Sequence, residues 1–222
     1  MSRTPASAEG ADFLVAAGTV VDLVGRMEVV GRWSEPSALA GLTVAGLAAH
    51  LASQVLTVHA AVTAGTAVTE ERSVPLLEHY QRVPWAGAGP DEPANVAIRE
   101  GSERAAGVGH GALIASVQTA VDDLRAAFTG VLPAQLPPAI RLPQWDWSLS
   151  FDDFLVTRVM EIAVHSDDLA VSVDVVPPTL PEAVLGPVLA VLVGVSLQRH
   201  GQAAVLRALT RRERAPASIA AF

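Results

Sequence analysis

The sequence predicts a mainly α-helical fold, a four-helix bundle with long connections and a short C-terminal extension. Three observations carry this reading. Apolar residues recur three and four positions apart over long stretches, the spacing of helices that pack on one another. Ala and Val dominate those stretches, and two Gly- and Pro-rich segments separate them, too long for the tight loops of a simple up-and-down bundle. Of the 222 residues, 50% are hydrophobic and 17% charged, so the chain can bury a real core and is not a disordered arm.

The first periodic run covers residues 11–30, with Phe13, Ala17, Val20, Val24 and Met27 on one stripe, and Trp33-Ser34-Glu35-Pro36-Ser37 breaks it. The Thr43 hydroxyl is placed to cap a second helix over 44–64 by accepting from the free amides of its first turn. Val44, Leu47, Leu51, Val55 and Val58 form its apolar face. Residues 65–93 form a long connection with a short helix near 74–82, a candidate lid or site wall. A third helix is expected over 94–130, followed by a Pro-rich stretch over 133–143. Trp145-Asp146-Trp147-Ser148 then leads into a fourth helix over 151–171, closed by Pro177-Pro178. The remainder reads as a helix, a shorter helix after Gly201 and the basic tail Arg211-Arg212-Glu213-Arg214. The expected division is a bundle over 1–175 with 176–222 packed on it as a covering layer.

Composition excludes several functions. A net charge of -8 opposes a nucleic-acid partner, whose phosphates are bound by neutralising Lys and Arg. With no cysteine there is no disulfide framework, no thiolate zinc site and no protein thiol nucleophile, so any metal must be held by His and carboxylate. No uninterrupted apolar stretch reaches the about 18 residues of a membrane helix. The longest, 183–197, contains Gly186, Pro187 and Gly194 and reads as a buried helix. The expectation is a cytoplasmic protein without a membrane partner, either monomer or homodimer.

Chemistry concentrates in the fourth helix. At about 3.6 residues per turn, Glu161, His165 and Asp168 share one face, with Arg158 a turn earlier, on a helix otherwise almost entirely apolar. A carboxylate on such a buried helix must be paired, hydrogen-bonded or metal-bound. Glu161 and His165 one turn apart supply two ligands to a divalent cation, and His50, in mid-helix beside the apolar face of the second helix, is the candidate third. Three protein ligands leave an open position, the pattern of a catalytic site. The residues alone leave alternatives open: a salt-bridged or hydrogen-bonded Glu161–His165 pair, a satisfied core histidine at His50, and Arg158 paired with Glu161 or Asp168. His59, His79, His110 and His200 have no partners at a recognisable spacing and read as structural or exposed. Trp145, Trp147 and Tyr80 read as packing before they read as the lining of a pocket mouth.

Two segments carry a resemblance. Trp33-Ser34-Glu35-Pro36-Ser37, then Gly41-Leu42-Thr43-Val44 and Leu47-Ala48-Ala49-His50-Leu51, resemble the start of the actinobacterial mycothiol-dependent maleylpyruvate isomerase N-terminal family. The run from Arg158 to Leu169 resembles its second signature, Glu-x-x-x-His followed by Asp-Leu. The resemblance covers roughly residues 10–175, and Leu197 to Gly201 and Leu206 to Leu209 also look like family tail segments. It implies a DinB-like bundle that binds zinc through His50, Glu161 and His165, with mycothiol as cosubstrate. An electrophilic small molecule would then accept the thiol or be isomerised by it.

The catalytic candidates are His50 and Asp168, the latter orienting a ligand or meeting thiol-sugar hydroxyls, though it reads equally as a solvated helix-end carboxylate. Arg199 and Arg207 are candidates for cofactor or substrate binding through a carboxylate, against the ordinary role of surface arginines. The tail of some 45 residues is too short for the C-terminal α+β domain that accompanies isomerase activity in the family. A metal-dependent hydrolase and a non-catalytic metal- or ligand-binding regulator are the competing readings.

Overall fold

The computed structural model describes residues 7–63, 73–130 and 136–222. The start of the expected 65–93 connection, the Ala64 end of the second expected helix and Pro133 lie outside them. The fold is mainly helical, as the periodicity predicts: α1 (Ala8–Val24), α2 (Met27–Gly31), α3 (Val44–Thr63), α4 (Leu76–Arg82), α5 (Pro93–Ala106), α6 (His110–Phe128), α7 (Phe151–Val173), α8 (Glu182–His200) and α9 (Gln202–Thr210).

The bundle is built from α1, α3, α7 and the α5–α6 pair. α1 packs on α6 and α7, while α3 packs on α5, α6 and α7. Phe13, Val20, Leu47, Leu51, Leu124, Phe154, Leu155 and Ile162 fill the centre. Ser150 caps α7 by accepting from the Asp153 amide at 3.1 Å. Ser7 caps α1 and also donates to Asp152 Oδ1 at 2.6 Å, tying the starts of α1 and α7 together.

Two expected helices are broken, each at glycine. The 11–30 run stops at Gly25, where the Val24 carbonyl accepts a hydrogen bond from His110 Nε2 at 2.8 Å instead of continuing the helix. The 94–130 run stops after Ala106 and restarts at His110, with Gly109 at φ +83° in the left-handed region. The break lets α5 lie against the first half of α3 while α6 follows its second half, where His59 pairs with Asp123 at 3.0 Å. A further feature, not foreseen, is a two-residue antiparallel ladder of β1 (Ala139–Ile140) and β2 (Leu149–Ser150), pairing Ala139 with Ser150 and Ile140 with Leu149.

α3 begins under an unusual cap. Thr43 Oγ1 accepts from the Gly46 amide at 3.0 Å, as expected, but its own proton and its backbone amide both go to the Glu103 carboxylate of α5, the amide at 2.7 Å. A Cβ on Gly46 would collide with that carboxylate and with the Leu42 side chain. Glu103 therefore supplies from sixty residues away the acidic group that a capping box places three residues on.

α8 packs on α7, α1 and α4, and α9 folds back on α8. Both α3 and α8 are long and apolar enough to span a membrane by length and composition. This goes beyond the reading from uninterrupted runs, because α-helical hydropathy tolerates the interspersed glycines and His50. α3 is the central core helix, whereas only 28% of the most apolar window of α8 is buried.

Candidate metal centre

α3 and α7 lie side by side in opposite directions, so that successive turns meet. His50 faces Glu161 and His165, and Gln54, one turn further along α3, meets Arg158, one turn back along α7. One ligand atom from each of His50, Glu161 and His165 lies within 4.8 Å of the other two. His165 Nε2 is 3.1 Å and His50 Nε2 3.8 Å from the same oxygen, Glu161 Oε2. The imidazoles meet edge to face with centroids 4.7 Å apart. The three side chains are 16%, 13% and 15% exposed in the order His50, Glu161, His165, and so largely desolvated.

Each ring is held from behind through Nδ1. His165 Nδ1 lies 3.0 Å from Asp168 Oδ2, and a carboxylate can only accept, so that nitrogen carries a proton. His50 Nδ1 lies 3.2 Å from Ser102 Oγ on α5. The Ser102 hydroxyl gives its own proton to the Ile98 carbonyl at 2.8 Å, so it accepts from His50, which is protonated on Nδ1. Both rings thus aim Nε2 at the Glu161 carboxylate, the tautomers and orientations that metal-binding histidines adopt when a partner fixes the other nitrogen.

The electrostatics of the metal-free site follow. Burial would raise the Glu161 carboxyl, but hydrogen bonds from His165 and His50, with the charges of His165 and Arg158, outweigh it and hold it well below the usual carboxylate range. Burial would lower His165, but its bonds to Asp168 and Glu161 push it up to about 9. A proton therefore bridges His165 and Glu161 at neutral pH, where a divalent cation would satisfy the same buried carboxylate. The donor set, one carboxylate oxygen and two imidazole Nε2 atoms, is the one zinc takes in open sites.

Of the residues singled out from sequence, the structure brings His50, Glu161, His165 and Asp168 together. Arg158 makes no ion pair with Glu161 or Asp168: its Nη1 donates to Gln54 Oε1 at 2.6 Å and its Nε to Thr157 Oγ1 at 3.1 Å. Gln54 in turn donates to the His50 carbonyl at 3.0 Å. Arg199 and Arg207 make no hydrogen bond or ion pair to the cluster. Arg199 Nη1 donates to the Ala221 carbonyl at 2.8 Å and Arg207 lies exposed on α9.

The aromatic residues form a packed layer beneath α4. Trp145 and Trp147 stack with centroids 5.6 Å apart, and Trp147 Nε1 donates to His79 Nδ1 at 3.1 Å. Burial and the charge of Arg158, partly opposed by Glu161, lower His79 to about 4. Tyr80 packs between His79, Trp85 and Phe222. Its hydroxyl is buried without a hydrogen-bond partner among the described residues, and burial pushes its pKa up. His110 and His200 bond backbone carbonyls and His59 a surface aspartate, which leaves none of them at the site.

Sequence reasoning missed Ser102, Gln54 and Glu103. Each acts across helices on a partner at least fifty residues away, and none sits in a local spacing that announces it.

No curated protein and no solved structure matches the chain. The family model for the mycothiol maleylpyruvate isomerase N-terminal domain matches residues 15–170, which include all three convergent residues together with Ser102 and Asp168 and stop short of α8. Covering more than half of the chain, that match carries the assignment: the protein belongs to the mycothiol maleylpyruvate isomerase N-terminal domain family.

Proposed function

We propose that the chain holds a divalent cation, zinc in the cell, through His50 Nε2, the Glu161 carboxylate and His165 Nε2, and that it uses a low-molecular-weight thiol of the mycothiol class for S-transfer to, or thiol-dependent isomerisation of, an electrophilic small molecule. The observation that carries the reading is the convergence of two Nε2 atoms, each with its Nδ1 tied behind it, on one buried carboxylate. A bound zinc ion would supply the Lewis acidity that keeps a thiol ionised near neutral pH.

The chain's own residues prepare the surroundings. Asp168 and Ser102 fix the two rings, so little reorganisation is needed when a ligand arrives. Arg158, braced by Gln54 and without a carboxylate of its own among the described residues, sets a positive charge one turn from Glu161 and favours an anionic ligand there. The reactive sulfur must come from outside, since the protein has no cysteine.

Elemental analysis followed by titration of the cobalt-substituted protein with mycothiol tests the proposal. About one ion per chain and a new sulfur-to-cobalt absorption band, lost in His50→Ala, are expected. No bound ion after exposure to several divalent metals would overturn it. A cobalt protein that ignores thiols and hydrolyses esters without them would replace it with the hydrolase reading.

A further inference from the structure

α8 is built unlike an ordinary surface helix. Between Glu182 and Arg199 it contains no charged residue. Val184, Val188, Val191 and Val195 form its inner face and belong to the core. On the opposite side Leu189, Val193 and Leu197, spaced four apart, are 50%, 39% and 38% exposed. Gly186 and Ala190 lie exposed beside them and leave room for another backbone to approach. The outer face of a surface helix normally carries the charges that keep it in water, and a continuous apolar stripe marks a surface that something covers.

The ends of the stripe say what covers it. At the N-terminal end of the face stands Glu182, while Glu9 and Asp12 of α1 lie on the inner side of the same turns, lining a groove with Val156, Val159, Val184, Pro187 and Val188. At the C-terminal end stand Arg199 and His200, followed by Arg207, Arg211, Arg212 and Arg214, with Glu213 the one acid among them. A face that is acidic at one end, apolar in the middle and basic at the other complements a copy of itself turned end for end. A parallel pairing would set like charges together. A lipid surface fits less well, because the acidic end and the net charge of -8 oppose anionic headgroups.

We propose that α8 is a self-association surface, on which two copies of this chain pair their α8 helices antiparallel about a two-fold axis near Val193, the acidic end of each against the basic end of the other. Such an isologous contact uses one patch twice and closes on itself. A stable interface takes about 800 Å² from each partner. Three side chains alone do not reach that, and the exposed Leu206 and Leu209 of α9, which packs on α8, add further apolar surface. The contact is independent of the metal centre, since none of its residues belongs to the site.

Sedimentation equilibrium of the full chain tests the proposal. The expected mass at micromolar concentration is twice 23.0 kDa, with association weakened several-fold by high salt. Val193→Arg is expected to give a monomer with unchanged helix content. Because the chain has no cysteine, Val193→Cys adds a single thiol beside the axis, and mild oxidation should convert most of the protein to a disulfide-linked dimer. Val176→Cys, at a position 81% exposed but outside the stripe, should not cross-link above background. A monomeric wild type at high micromolar concentration, a dimer that survives Val193→Arg, or equal cross-linking by the two cysteine variants would overturn the proposal. So would a monomer that floats with phosphatidylglycerol vesicles and loses that binding in Val193→Arg, which would assign the stripe to a membrane.

Discussion

Asp168 Oδ2 sits 3.0 Å from His165 Nδ1, three residues further along the same helix, and so holds the ring with Nε2 turned to Glu161. Asp168→Ala removes that hold without touching a donor atom. The expected consequence is a loss of metal affinity of about 10- to 100-fold, read by competition with a chelating dye. Asp168→Asn, whose amide oxygen still accepts from Nδ1–H, should retain most of the affinity. Equal losses in both variants would mean that charge, not ring orientation, is what Asp168 supplies.

Metal uptake should release protons. His165 is held up to about 9 in the metal-free site, so a cation entering at neutral pH must displace its proton. Affinity should therefore climb as pH rises from the ordinary histidine range towards about 9 and level off above it. The sign for the metal-free protein is opposite: with a folded pKa above the unfolded one, the stability from protonated His165 is present below about 6.5 and lost as pH rises through about 9. Calorimetry in buffers of different ionisation enthalpy counts the protons, and a count of zero at pH 7 would contradict the bridged His165–Glu161 arrangement. His50→Ala, Glu161→Ala and His165→Ala should each abolish binding with helix content kept.

His79 should make the fold acid-sensitive. Its folded pKa of about 4 lies below the unfolded value of 6.5, so the unfolded chain binds more protons between those values. Stability is complete above about 6.5 and falls as pH drops towards about 4, by roughly 3 kcal/mol in all. Urea denaturation at a series of pH values measures the slope. His79→Phe should flatten it, at the cost of leaving Trp147 Nε1 without its acceptor. An unchanged slope in the variant would assign the acid sensitivity elsewhere.

Gly46→Ala drives a methyl group into the Glu103 carboxylate and Leu42. Overpacking of this kind costs about 1–3 kcal/mol, to be read as a lowered denaturation midpoint with an unchanged slope. Pairing it with Glu103→Ala relieves the clash with the carboxylate, leaves that with Leu42 and loses the cap, so the double variant should fall short of wild type.

What was legible in the sequence was local. The apolar period of α3 and α7 fixes their inward faces, and Glu161, His165 and Asp168 lie within two turns of one helix, so spacing alone sets them on one stripe. His50 was a candidate from its place beside an apolar helix face, and the resemblance decided for it, because nothing in its own helix says which neighbour it faces. The break between α5 and α6 was signalled by Gly107-Val108-Gly109, but the apolar period runs on through it and hid the interruption. Ser102, Gln54 and Glu103 stayed hidden because their meaning exists only once α5 and α7 have docked on α3.

Ser102 and Glu103 are adjacent on α5, and through them one short helix both orients His50 and caps the helix that carries it. Gly109, at φ +83°, separates α5 from α6, so α5 is expected to open as a unit apart from the rest of the bundle. Such an opening is a sub-global unfolding event with its own free energy, smaller than that of the whole domain. Amides of the first turn of α3 and of α5 should then exchange with solvent as one cooperative unit. The residence time of the proposed metal should then follow how often that unit opens, and should be insensitive to changes that stabilise only α1 or α6.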